Sequence, residues 1–322
     1  MSAEKPRLEL WVRFAFGVMI LTGFLVLYMG ARPGGRGPIL VYNWGPRILG
    51  PLALLTFAVG FGWSAFHRPL LRRGRLPALA GLALLVVGAG AHLPYPSSHE
   101  GKPSAVAFQL PVEGTWTVRW GGEGPGVNLL APLPDRRWGL VLVVEQDGST
   151  YTGDGRAPEN YHAYGGPVLA PAAGRVVRVV DDLPDRPPGE RARGEALGNY
   201  VVLEVAPGEF AFLAGLQPGS VQVAVGDTVE ARQRLARVGS SAASWLTPEP
   251  HLALHLQDTP EPYWGEAIPW FFHGYRTGGT TVDRGLPGVA VGPRGERLGE
   301  RIEHAGEPPP VPDSRDLEQE PR

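Results

Sequence analysis

The sequence predicts an all-β soluble domain behind three N-terminal transmembrane α-helices, and three observations predict it. Leu, Val, Ala, Gly and Phe dominate the chain up to about residue 93. From Ala105 onward apolar residues alternate with polar ones in short runs, separated by turns rich in Gly and Pro. No amphipathic helical period and no internal repeat follows in the remainder of the chain.

A bilayer core of about 30 Å needs about 20 mostly apolar residues per helix. The segments 8–29, 48–66 and 76–93 meet or approach that requirement, so residues 1–95 read as a membrane region. Arg13 lies near the start of the first span, where a long side chain can reach the headgroups, and Pro94 closes the third. A cleaved leader suits the first span poorly, because two more spans follow and no small-residue cleavage site stands out. Lys5, Arg7 and Arg13, with Arg68, Arg72, Arg73 and Arg75, oppose Arg32, Arg36 and Arg47 between spans one and two. The positive-inside rule then places the N-terminus inside and, after three spans, the C-terminal domain outside the cytoplasm. Membrane lipid is therefore one expected partner.

Strands are expected at Thr115–Trp120, Trp138–Val144, Gly174–Val180, Tyr200–Val205 and His251–Leu256. Leu183–Leu197 is rich in Pro, Gly and charge and reads as a surface loop. The domain is expected over 105–276. The segment 295–322 is rich in Glu, Arg and Pro and poor in large apolar residues, which predicts a disordered tail.

Composition removes several functions. A net charge of -2 supplies no basic field for nucleic acid. The chain has no cysteine, which excludes disulfides, thiolate catalysis and thiolate-bound zinc. A carrier domain with a lysine at a hairpin tip is excluded too, since Lys5 and Lys102 both precede the β region. Ser240 and Ser241 have no nucleophile elbow around them. Asp181, Asp182 and Asp185 lack the EF-hand spacing and read as a solvated turn.

Five phrases in order resemble the lysostaphin/LytM-type zinc metallopeptidases that cut peptidoglycan cross-bridges. They are Tyr164–Gly174, Gly198–Leu203, Leu213–Val221, then Val225–Val229 with Val238–Ser241, and Glu249–Leu252. The resemblance covers about Pro111 to Tyr275 and implies a duplicated hybrid motif-like β-sandwich or barrel. It also implies a zinc held by His, Asp and His, an open water position, and a further histidine pair. A catalytic zinc needs about three protein ligands and a water whose pKa falls to near 7.

Set against that pattern, the ligand positions have changed. His251 keeps the base-like catalytic position of the His-x-His phrase, but Ala253 stands where its metal ligand is expected. Leu130 and Val141 stand at the two upstream ligand positions, and Gly215 at the remaining catalytic histidine. Methyl groups cannot coordinate zinc, so no metal and no cofactor is expected. Trp138, Gln217, His162 and His255 are candidates to line a residual groove. On a strand His251 and His255 would lie about 13 Å apart, too far to share one zinc. A rebuilt site from His162 with Asp154 or Glu159 rests only on isolated ligand-type residues. His273, among Trp270, Phe271 and Phe272, reads as packing, and His304 falls in the tail.

Three functions stay open from sequence. The first is a catalytically silent, membrane-anchored module that binds peptidoglycan peptides or regulates a cell-wall enzyme. The second is an active zinc endopeptidase of cell-wall remodelling. The third is a structural or assembly subunit whose helices, with Arg13, Gly81, Gly88 and Gly90, make the important contacts.

Overall fold

A computed structural model describes residues 8–67, 74–90, 93–190, 196–242 and 247–306. The chain divides into two compact units between Ser98 and His99. Lys5, Arg7, Arg68, Arg72 and Arg73, which carry most of the orientation argument, lie outside the described residues.

The first unit holds α1 (Leu10–Gly30), α2 (Arg36–Phe66) and α3 (Arg75–Ala89). A small cluster is buried between the helices, and many large apolar residues point away. Val12, Ala15, Ala53, Ala78 and Leu82 are buried together, whereas Leu10, Phe24, Leu27, Phe66 and Leu84 are exposed. That arrangement inverts a water-soluble bundle, where apolar surface turns inward. Gly81 has a packing role: a Cβ there would meet Met19 of α1. Gly88 has no atom within 4 Å of such a Cβ.

Two expectations change here. α1 and α2 are long and apolar enough to cross a membrane, but α3 has 15 residues. At about 1.5 Å per residue α3 spans roughly 22 Å, short of a 30 Å core. α2 also begins earlier than expected, at Arg36, behind a link in which Gly34 and Gly35 adopt φ of 74° and 78°. Pro38 is tolerated because the first turn needs no N–H partner, and Pro46 and Pro51 lie inside the helix. Arg36 and Arg47 are thus helical rather than loop cations. Arg75 is buried, and its Nη2 lies 2.7 Å from Glu9 Oε1, so its charge is neutralised. The charge asymmetry between the loops is weaker than the sequence suggests.

The second unit is β-rich. Its strands are β1 (Trp116–Trp120), β2 (Leu140–Val143), β3 (Pro167–Leu169), β4 (Gly174–Val180), β5 (Asn199–Ala206), β6 (Glu209–Leu216) and β7 (Thr228–Val229). They continue as β8 (Arg234–Arg237), β9 (Leu252–Gln257), β10 (Phe272–Thr277), β11 (Thr280–Gly285), β12 (Val289–Val291), β13 (Arg297–Gly299) and β14 (Arg301–His304). Ten form one antiparallel sheet in the order β11-β10-β14-β1-β2-β9-β6-β5-β4-β7, while β3 pairs with β8 and β12 with β13. The five expected strands all occur, with ends shifted by at most two residues.

The main core lies on one face of the sheet, where Leu252, Leu254 and Leu256 of β9 join Phe108, Trp138 and Trp270. Phe108 and Trp270 meet edge to face, with centroids 5.0 Å apart. Each such side chain buried contributes about 1.5–3 kcal/mol. Alternation sends Ala253 and His255 to the opposite face, which carries the candidate site.

The expected tail is partly structured. β14 pairs with β1 through Trp116↔Ile302 and with β10 through Tyr275↔His304. One fully buried apolar residue, Ile302, completes the core between two strands already formed. Composition averaged over 295–322 hides that residue. The sheet also runs past the expected boundary at 276, and residues 307–322 lie outside the described ones.

Candidate functional site

Three strands bring Val141, Ala253 and Ala214 into one row. Val141 of β2 pairs with Ala253 of β9, which pairs with Ala214 of β6. Leu130 arrives from the loop before β2, which Asn128 holds in place. The Asn128 Nδ2 donates to Gly122 O at 2.9 Å and its Oδ1 accepts from Leu130 N at 3.0 Å. Leu130 and Val141 are buried together with Trp120, and Leu129, Leu133 and Ala253 pack against them. Trp120 Nε1 donates to Thr247 Oγ1 at 3.1 Å, and the Arg297 guanidinium lies 4.5 Å from the indole centroid. Zinc needs N, O or S lone pairs at about 2.0–2.3 Å. This cluster presents only hydrocarbon and an indole face. The residues present do not fit the metal.

His251 lies two residues before Ala253, just ahead of β9, and is buried, with Nδ1 2.7 Å from Glu249 O. That carbonyl can only accept, so Nδ1 carries the proton and Nε2 keeps its lone pair. Burial pushes the His251 pKa down, partly offset by the Glu249 carbonyl. Gly215 is the extra residue of a β-bulge between the pairs Asn199↔Leu216 and Tyr200↔Ala214. Its φ is +85°, and a Cβ would lie 2.6 Å from the His251 carbonyl oxygen. A histidine at this position therefore requires a different backbone, not merely a different side chain.

The groove candidates separate. Trp138 belongs to the main core on the opposite face, where its carbonyl accepts from Trp270 Nε1 at 2.9 Å. It shares the parity of Leu140 and Leu142, which lie in the same core, so strand alternation itself sets it opposite Val141. His255 is buried rather than lining a groove; its ring stacks on Phe212 at 4.5 Å. Gln217 does belong to a polar wall. Its Nε2 donates to the Tyr164 hydroxyl at 3.1 Å, and that hydroxyl donates to Asp185 Oδ2 at 2.8 Å. Burial first, then Asp185, pushes the Tyr164 pKa up to about 12. Burial also raises that of Asp185. His162 lies beside this region: its N–H donates to Thr150 O, and the Thr150 hydroxyl donates to Glu249. His273 is partly buried, its N–H donating to Phe108 O at 2.7 Å, and His304 lies on β14.

Neither His162 nor His251 belongs to a three-ligand group among the described residues. The group with mutual ligand-atom distances within 4.8 Å is His99, Asp258 and Glu266. Sequence reasoning missed it, because His99 is 159 residues from Asp258 and no motif spacing joins them. It also missed a cleft of 220 Å³ over β1 and β2, walled by Arg119, Trp120, Glu145, Thr150 and Arg297. Arg297 belongs to the segment assigned to the tail.

His255 makes stability pH-dependent. Burial, partly offset by Asp135, lowers its pKa to about 3, with Arg136 acting in the same direction as burial. The folded state thus binds fewer protons than the unfolded state between about pH 3 and 6.5. Stability is full above about pH 6.5 and falls on acidification by about 1.4 kcal/mol per pH unit from this group. His251 acts with the same sign. Urea unfolding of wild type and His255→Phe between pH 7 and 4.5 checks this. A slope unchanged in the variant would refute it.

The antiparallel β fold, with its Gly-rich phrases and its histidine at the head of β9, defines a LytM-type peptidase-like domain. Residues 160–263 match peptidase family M23, and over that span the chain carries a domain of the family, preceded by apolar helices. His251, Ala253 and Gly215 lie within the match, while Leu130 and Val141 precede it. No curated protein matches the chain. Among solved structures, it is similar to a candidate peptidase M23 from Pseudomonas aeruginosa, at 17% identity over 52% of this chain and 50% of that one, TM-score 0.31. It is also similar to the lysostaphin catalytic domain from Staphylococcus simulans, at 20% identity over 36% and 88%, TM-score 0.24. A third is a SpoIIIAH and SpoIIQ complex, at 22% identity over 41% and 66%, TM-score 0.26. The chain spans half the length of the first of these.

Proposed function

We propose that this M23 domain works without a catalytic zinc, as a membrane-anchored module that binds cell-wall peptide or a cell-wall enzyme. The observation that carries the reading is the buried cluster of Leu130, Val141 and Trp120 against Ala253, at the positions where the resemblance expects donors. The bulge at Gly215 adds a second obstacle, because its backbone conformation suits glycine alone. The neighbouring cleft supplies binding chemistry instead: the Arg119 and Arg297 guanidinium groups, the latter braced on the Trp120 ring, for carboxylates.

Detergent-solubilised full-length protein, incubated with purified sacculi and added zinc, is expected to release no peptide while sedimenting with them. Cleavage abolished by His251→Ala, or stoichiometric zinc lost in that variant, would overturn the proposal.

The helices serve as the anchor, with the β domain on the outer side. The absence of cysteine makes Val225→Cys, at an exposed loop position, a single reporter. A membrane-impermeant maleimide should label it in right-side-out vesicles and not in sealed inverted ones; the reverse pattern would refute the orientation.

A further inference from the structure

We propose that His99, Asp258 and Glu266 form a binding site for a divalent transition-metal cation of the zinc class, separate from the M23 cleft. The site lies past the far end of β9 from His251. Asp258 lies five positions after Ala253, about 17 Å of extended chain.

Three segments converge there: the start of the soluble unit, the end of β9 and the chain just before Trp270. Asp258 and Glu266 are locked together by their backbones. Asp258 N–H donates to Glu266 O at 3.1 Å, and Glu266 N–H donates to Asp258 Oδ1 at 2.8 Å. Gly265 makes the approach possible, since a Cβ there would lie 3.0 Å from Asp258 Oδ1. The other carboxylate oxygen, Oδ2, faces His99 Nε2 at 3.3 Å.

That contact is an ion pair, and its spacing also suits two ligands of one metal. Two ligands on a tetrahedral zinc, with bonds of about 2.0–2.1 Å, stand about 3.3–3.4 Å apart. With Glu266 included, all three ligand atoms lie within 4.8 Å of one another. Glu266 is 1% exposed, so its carboxylate is held inside the fold close to Asp258. His99 and Asp258 each keep 29% side-chain exposure, which leaves an entry path and room for water as the fourth ligand. An imidazole with two carboxylates suits zinc better than calcium or magnesium, which prefer oxygen alone. The ion would pin the first residues of the soluble unit to the turn that follows β9.

Full-length protein in detergent, stripped with EDTA and dialysed, provides the test, with zinc chloride as titrant. One zinc per chain is expected, with a thermal midpoint raised by a few degrees, on the order expected for a bound ligand in excess. His99→Gln and Glu266→Gln should each bind at least about tenfold more weakly. Both should match wild type in EDTA, which shows that the fold survives. His251→Ala should bind as wild type does. Zinc binding unchanged in both site variants, or no binding to wild type, overturns the site. Loss of zinc in His251→Ala alone would instead overturn the zinc-free reading of the cleft, so the two failures are distinguishable.

Discussion

Val141→Asp is expected to cost the soluble domain about 3–5 kcal/mol, the penalty of an unpaired charge in an apolar site. Val141 is 3% exposed and pairs with Trp120 on one side and Ala253 on the other, so the new carboxylate meets no donor. Against a usual domain stability of about 5–15 kcal/mol, that loss is severe. The deficit should shrink as pH falls toward about 4, because burial favours the protonated acid. Urea midpoints at pH 7 and pH 4.5 measure both parts. The triple variant Leu130→His, Val141→Asp, Ala253→His carries the same acid with two ligands beside it. Zinc should raise its midpoint and leave that of Val141→Asp unchanged. Equal protection of both would show that these positions do not form one metal-sized cluster.

Gly198→Ala should destabilise the domain by about 3–5 kcal/mol, combining strain at positive φ with overpacking. Gly198 has φ +61°, and a Cβ would lie 2.3 Å from Ala242 N and 2.4 Å from Ser241 C. Both are backbone atoms and cannot swing aside. The neighbouring residue shows why the approach is so close. Asn199 N–H donates to Ser241 Oγ at 3.0 Å, and Asn199 Nδ2 donates to Leu183 O and Leu216 O. These bonds draw the start of β5 onto the chain after β8. Gly208→Ala is the control: its φ is +76°, but nothing lies within 4 Å of the added carbon. It should lose only about 1 kcal/mol. Thermal unfolding separates the two, with a midpoint drop of about 10 °C or more expected for Gly198→Ala. Equal losses in both variants would remove the close-approach argument.

Local chemistry made much of this protein legible in its sequence. Hydrophobicity alone located α1 and most of α2, because a long unbroken apolar run marks a helix without reference to any tertiary partner. Period-two runs between Gly and Pro turns gave β1, β2, β4, β5 and β9. His251, Ala253 and Gly215 could be read from phrases of fixed spacing within one strand or bulge.

Packing between distant segments decided the rest. Whether Ile302 belonged to a tail or a sheet depended on an empty place between β1 and β10. Trp120 packing on Leu130 and Val141, Arg297 covering its ring, and His99 meeting Asp258 all join residues far apart along the chain. Such contacts leave no period or spacing to read, since their free energy appears only when the intervening chain has folded and brought both partners together.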